Sequence, residues 1–190
     1  MKTIEEMDLK NKCVVLRSDF NVPVENGVIK DNSKISKELP TIKYLLDNNC
    51  KVVILSHFGR IKKEEDKKKN SLKVVAMELA NLLKKEVKFI DNCYGEKVRE
   101  MVLSCNLGDV ILLENTRFMD VFEKRESGND LELAKYFASL GDIYINDAFG
   151  SMHRAHASTA GICKYLPHAI GFLVMDELKH LEILVKDTPH

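Results

Sequence analysis

The feature that most constrains this chain is an alternation. Short apolar runs rich in Val, Ile and Leu recur at residues 13–16, 51–55, 87–90, 110–113, 143–145 and 170–174. Between them lie stretches with apolar residues at helical spacing, at 36–47, 71–84, 96–103, 131–140 and 178–185. The runs are not interleaved with polar residues, so both faces of each strand must be covered, which is the pattern of a parallel sheet. Strand followed by helix is the βαβ rhythm, and right-handed crossovers stack its helices on both faces. The predicted fold class is α/β: a three-layer αβα Rossmann-like domain with a mainly parallel sheet of about six strands. Residues 22–29 interrupt the rhythm, because Asn26-Gly27 between apolar residues signals a hairpin. Residues 62–70, KKEEDKKKN, have no apolar face and read as a solvated loop.

Composition narrows the partners. The 190 residues are 45% hydrophobic, enough to bury one core. Lys+Arg at 29 balances Asp+Glu at 29, so no global field favours nucleic acid or an anionic membrane. Trp is absent, and Phe and Tyr are not interleaved with basic residues, which argues further against single-strand nucleic-acid binding. No apolar run approaches the ~20 residues of a membrane span. The start, MKTIEEMDLKNK, has no apolar signal region. The five cysteines are odd in number and form no Cys-x-x-Cys pair, so free thiols in a reducing cytoplasm are expected, with Cys13 a small buried hydrophobe.

Chemistry-bearing residues follow four of the runs. After the first comes Arg17-Ser18-Asp19-Phe20-Asn21, and after the second Ser56-His57-Phe58-Gly59-Arg60. After the fourth comes Glu114-Asn115-Thr116-Arg117, and after the fifth the segment from Asn146 through His153 and Arg154 to His156. Open α/β sheets bind ligands beyond the carboxyl ends of their strands. Parallel strands would gather these clusters into one basic crescent of Arg17, His57, Arg60, Arg117, His153 and Arg154. The planar fork of Arg suits phosphate and carboxylate, so a small ligand bearing both is the expected occupant. Asp19 and Asn21 could accept from a ligand hydroxyl, or Asp19 could orient an Arg. Gly59 and Gly150 permit close backbone turns.

Other chemistries lack their signatures. His153-x-x-His156 is half of a metal site, but no other cluster supplies partners at ligand spacing, so no metal is expected. Asp147 could be a base or a turn cap. His168, after Pro167, and the last residue, His190, are expected to be uninvolved. There is no nucleophile elbow and no Gly-x-x-x-x-Gly-Lys-Ser/Thr loop. Asp19-Phe20-Asn21 stands where a dinucleotide binder would place a glycine-rich turn.

Five ordered segments carry a family resemblance. Arg17-Ser18-Asp19-Phe20-Asn21-Val22-Pro23, Leu39-Pro40-Thr41-Ile42, Ser56-His57-Phe58-Gly59-Arg60, Leu113-Glu114-Asn115-Thr116-Arg117-Phe118, and Asn146-Asp147-Ala148-Phe149-Gly150 through His156-Ala157-Ser158 resemble the motifs of phosphoglycerate kinases, in order, from about Leu9 onward. That family moves a phosphoryl group between 1,3-bisphosphoglycerate and MgADP, giving 3-phosphoglycerate and MgATP. It is a phosphotransferase with a carboxyl acceptor, and it has two α/β domains.

The resemblance implies that residues 1–174 form the phosphoglycerate-binding N-terminal domain and that residues 175–190 begin the helix joining the domains. It implies that the nucleotide-binding C-terminal domain is missing, so that MgATP and MgADP belong to the complete enzyme and neither is held by this chain. Asp19 and Asn21 would contact the glycerate. His57, Arg60, Arg117 and Arg154 would hold its phosphate and carboxylate, with Phe20, Phe58 and Gly59 in the same substrate loops, and with Arg17 and His153 close by. Lys34 stands where the family carries an Arg thought to stabilise the transferring phosphoryl group, and it would take the catalytic role without the bidentate fork. Ile61 replaces a Pro that often follows Arg60. A cytoplasmic monomer that binds 3-phosphoglycerate weakly and does not turn over alone is expected. The competing reading is a non-catalytic module that senses phosphoglycerate or binds a protein.

Overall fold

A computed structural model describes residues 1–186, so Asp187, Thr188, Pro189 and His190, the end of the expected joining helix, lie outside the described residues. Among the described residues, eight strands and five α-helices form in chain order. They are β1 (Cys13–Arg17), β2 (Val24–Glu25), β3 (Val28–Ile29), α1 (Ser33–Asp47), β4 (Lys51–Leu55), α2 (Lys73–Leu83), β5 (Val87–Ile90), α3 (Glu96–Ser104), β6 (Val110–Leu113), α4 (Leu131–Ala138), β7 (Ile143–Asn146), β8 (His168–Ile170) and α5 (Phe172–Lys186).

Six strands form one parallel sheet in the order β5-β6-β4-β1-β7-β8. Val14 pairs with Val52 and Ile143, and Leu16 with Ile54 and Ile145. Side chains alternate across a strand, so each run serves two cores. Val14, Leu16, Val52, Ile54, Val110 and Leu112 meet Ile35, Ile42 and Leu45 of α1, Val75 and Leu79 of α2, and Phe172 and Met175 of α5. Val15, Val53, Leu55, Ile111, Leu113 and Tyr144 meet Val98 and Val102 of α3 and Leu133 and Phe137 of α4. These are the three layers expected, and the need to cover both faces explains the unbroken apolar runs.

Local chemistry sets the turns. Asn26 and Gly27 both have positive φ, 51° and 74°, as a tight hairpin between β2 and β3 requires. The Asp130 side chain accepts from Leu133 N at 2.7 Å and caps α4.

Three expectations change. The run 170–174 is not a strand: β8 ends at Ile170, and α5 begins at Phe172. Its first turn is capped from elsewhere in the chain, since Phe172 N donates to Thr41 Oγ1 at 3.1 Å and Val174 N to Asp147 Oδ1 at 3.2 Å. Residues 62–70 are not wholly loop. Glu64–Lys69 form a 3-10 helix without buried residues, and its Lys68 and Lys69 line a groove of about 1400 Å³ beside the hairpin and α2. Cys13 is only half-buried, with its thiol donating to Leu140 O at 3.2 Å; all five cysteines are free.

Candidate functional site

The strands β6, β4, β1 and β7 are neighbours in that order and parallel, so their carboxyl ends open on one edge. From β1 the chain goes first to β4 on one side and later to β7 on the other. Such a reversal leaves a crevice where open sheets bind ligands.

Side chains lace the loops of this edge together. Ser56 Oγ accepts from Phe20 N at 3.0 Å, tying the β1 loop to β4. Asn21 Oδ1 accepts from Gly59 N at 3.0 Å, and Gly59 has φ +62°, a conformation open to glycine. Asn115 Oδ1 accepts from Phe58 N and Arg117 N, while its Nδ2 donates to Phe58 O and Asn70 O. Gly150 lets the β7 loop approach Asp19, since a Cβ there would sit 3.0 Å from Asp19 Oδ2. Asp19 in turn accepts from Asn21 N at 3.1 Å and pairs with Lys34 Nζ at 3.1 Å.

The predicted residues divide in two. Asp19, Asn21, Lys34, His57, Gly59, Arg60, Arg117, His153 and Arg154 keep some exposure along the edge or at the start of α1. Arg17, Phe20 and Phe58 do not. Phe20 and Phe58 turn their rings into the core, and their N–H groups are already bonded to Ser56 and Asn115. Arg17 is fully buried and drops out of the exposed crescent. Its guanidinium donates to Ser18 O, to Ser158 Oγ at 2.9 Å and to His57 Nδ1 at 3.1 Å.

The edge is short of negative charge. Among the described residues, the five ion pairs include Lys34–Asp19 but none of Arg17, Arg60, Arg117 or Arg154. Arg117 Nε and Thr116 Oγ1 are buried without a partner among the described residues. Burial, and then the charges of Arg154 and Arg17, hold the Arg117 guanidinium below its usual range, partly offset by Asp120. The His57 imidazole is pushed down to about 2, first by burial and then by Arg17 and Arg117, so it is neutral at physiological pH. His156 is brought down to about 4 by burial and then by Arg117, and its Nδ1 is a buried atom without a partner. Such orphans are costly unless a ligand satisfies them.

In sequence His156 belongs to the segment after β7 and reads, with His153, as half of a metal site. Its burial among arginines, which no local pattern announces, makes it part of this edge. Among the described residues, no group of three or more His, Cys, Asp or Glu could hold a metal ion.

Beneath the edge lies a buried carboxyl pair that sequence reasoning half missed. Asp147, just after β7, reads in sequence as a base or a turn cap, and Glu38 of α1 carries no local signal. Both are fully buried. Glu38 accepts from Ser18 Oγ at 3.2 Å and Asp19 N at 3.3 Å. Burial, and then the facing Asp147, raise Glu38 well above the usual carboxylate range, and burial raises Asp147. One proton between them is the electrostatically cheap arrangement. Asp147 therefore serves as a structural acceptor for the start of α5.

A family model described as phosphoglycerate kinase matches residues 4–190. The chain belongs to the phosphoglycerate kinase family. It is 48% identical over 188 residues to the phosphoglycerate kinase of Lacticaseibacillus casei, covering 98% of this chain and 48% of that protein. It is 50% identical over 183 residues to the phosphoglycerate kinase of Fusobacterium nucleatum, covering 95% and 46%. Two phosphoglycerate kinase structures share the fold. That from Coxiella burnetii has a TM-score of 0.81 at 37% identity, covering 95% of this chain and 44% of its own. That from Pyrococcus horikoshii has a TM-score of 0.87 at 30% identity, covering 100% and 47%. The chain spans about half the length of the curated relatives it matches. Among the described residues no helix is long and apolar enough to cross a membrane.

Proposed function

We propose that this chain is the phosphoglycerate-binding half of a phosphoglycerate kinase, in which a phosphoryl group passes between 1,3-bisphosphoglycerate and ADP. The observation that carries the reading is the set of guanidinium groups without a carboxylate partner among the described residues, Arg117 and Arg154 near the neutral imidazoles of His57 and His156, with Arg60 in the loop after β4. Fixed cations without counter-ions, next to orphaned buried donors, fit a small dianionic ligand.

In this reading the arginines hold the phosphate and carboxylate of 3-phosphoglycerate. Asp19 and Asn21, already tied to Lys34 and Gly59, meet the glycerate. Lys34 is about half exposed at the start of α1 and supplies positive charge to the transferring group. Phosphoryl transfer depends mainly on positioning and on stabilising charge, which this edge offers. MgADP or MgATP is the second substrate and binds to the other half of the family's length. The domain division at residues 174 and 175 falls inside α5. Val174 is packed in the core, whereas Leu181, Ile183 and Val185 are exposed, so the helix leaves the sheet as a connector. By itself the chain binds phosphoglycerate without turnover, because closure of two domains is what excludes water and aligns the substrates. A cytoplasmic monomer completes the reading, in keeping with five free thiols.

The test is an NMR titration of the 190-residue chain with 3-phosphoglycerate and, separately, with MgATP. Shifts in the loops of His57, Arg60, Arg117 and Arg154 with 3-phosphoglycerate alone are expected. Stronger shifts there with MgATP, or none with 3-phosphoglycerate, would refute the assignment.

A further inference from the structure

Arg17 ends β1 at the middle of the candidate site, yet it is fully buried and has no carboxylate within ion-pair distance among the described residues. A guanidinium carries only donors, so each contact has a fixed direction. Its Nε donates to Ser158 Oγ, and that hydroxyl donates onward to Glu126 Oε1. Ser158 N also donates to Glu126 Oε2 at 3.1 Å, and Glu126 is itself fully buried. Burial raises Glu126 above the usual carboxylate range and Arg17 opposes that, and both Glu126 oxygens accept from Ser158, so the carboxyl anchors this end of Arg17 through one hydroxyl. At the other end of the guanidinium, NH2 lies 3.1 Å from His57 Nδ1.

An Arg cannot accept, so Nδ1 must present its lone pair. In a neutral imidazole with one nitrogen accepting, the other carries the proton. His57 Nε2 has no hydrogen-bond partner among the described residues and is not a buried orphan, so it faces solvent at the strand edge. A second proton on the ring would abolish the Nδ1 contact and set imidazolium against guanidinium. The groups that face the ring reinforce this. Arg17 stands behind it, Arg117 and His156 approach from the loops after β6 and β7, and Lys34 from α1, and each disfavours a charged ring.

We propose that Arg17 is a positioning residue: held through Ser158 by Glu126, it locks His57 as the neutral tautomer protonated on Nε2, so that the ring offers an anion a single directed donor. The assignment of that anion as phosphoglycerate rests on the function proposed above; the tautomer does not. The arrangement divides labour at the site. Arg60, Arg117 and Arg154 supply charge, and His57 supplies direction without adding to their mutual repulsion.

The direct test is a long-range proton–nitrogen correlation spectrum of the 190-residue chain labelled with ¹⁵N-histidine. At pH 7 His57 Nδ1 is expected in the unprotonated range and Nε2 in the protonated range, with no change of tautomer down to pH 5. A proton on Nδ1, or an imidazolium above pH 5, overturns the proposal. Arg17→Lys keeps the charge but loses the fork, and Ser158→Ala breaks the bridge to Glu126. Each is expected to mix the His57 tautomers and to weaken 3-phosphoglycerate about tenfold, the scale of one lost directed hydrogen bond. His57→Gln, whose amide nitrogen reaches toward the Nε2 position, is expected to lose less affinity than His57→Asn. Equal losses, or Arg17→Lys and Ser158→Ala chains with a pure Nε2 tautomer, also overturn it. If neither Arg17→Lys nor Ser158→Ala folds, the wild-type spectrum still decides. A correct tautomer with no response to 3-phosphoglycerate at the edge refutes the proposed function and leaves the Arg17 lock standing.

Discussion

Replacing Glu38 by Gln tests the buried carboxyl pair. Glu38 is fully buried, and burial and then the facing Asp147 raise it well above the usual carboxylate range, so the fold favours its protonated form. Gln keeps the shape: its oxygen at the Oε1 position can accept from Asp19 N, and its nitrogen at the Oε2 position can donate to Ser18 Oγ, whose hydroxyl can accept. The loss of stability at pH 7 is expected to stay within about 1 kcal/mol, a urea midpoint shift of about 0.5 M at a slope of about 2 kcal/mol/M. Glu38→Ala strands Ser18 Oγ and Asp19 N, at roughly 1–3 kcal/mol for each buried orphan. A total near 3 kcal/mol moves the midpoint by about 1.5 M. The pH dependence has a definite sign. A carboxyl raised in the fold keeps a proton that the unfolded chain releases, so wild-type stability falls as pH rises above the ordinary carboxylate range. Gln does not titrate, so as pH rises above the ordinary carboxylate range the difference moves in its favour, by up to about 1.4 kcal/mol per pH unit. The assay is urea unfolding of the three chains at several pH values. Parallel pH profiles for wild type and Glu38→Gln, or a Gln loss as large as the Ala loss, would show that Glu38 is ionised in the fold and refute the reasoning.

Arg117→Ala and Arg154→Ala are each expected to weaken 3-phosphoglycerate binding by about tenfold or more, at a charge-assisted contact of roughly 1.5–3 kcal/mol, with little change in unfolding midpoint. Calorimetric titration checks this, and wild-type affinity in both would remove the basic edge from the proposal. Lys34→Arg, placed in a chain that also carries the nucleotide-binding half, is expected to leave turnover unchanged or raise it, because the charge beside Asp19 stays and the fork is added. A large drop in steady-state turnover would mean that Lys34 is adapted to its site. Asp130→Ala removes the α4 cap and is expected to cost about 1 kcal/mol in thermal or urea unfolding, without affecting phosphoglycerate binding.

The sequence by itself determined the strand-and-helix rhythm, because the elements are set by short-range pattern. Val14 through Leu16, Val52 through Leu55 and Val110 through Leu113 could only be strands covered on both faces, and Asn26-Gly27 could only be a tight turn. It also brought most of the edge residues to light, since parallel strands deliver whatever follows them to one side. Only the tertiary structure decided what depends on groups distant in sequence. The stretch from Ile170 to Val174 reads as one apolar run, but a helix starts within it because Thr41 and Asp147 satisfy its first N–H groups. Arg17 looks in sequence like the other strand-end arginines. It is a buried brace instead, because Ser158, 141 residues away, and His57, 40 residues away, come within hydrogen-bond distance of its guanidinium. Glu38 and Asp147 titrate as a pair for the same reason: burial and proximity set a proton's position, and neither is written in the residues beside them.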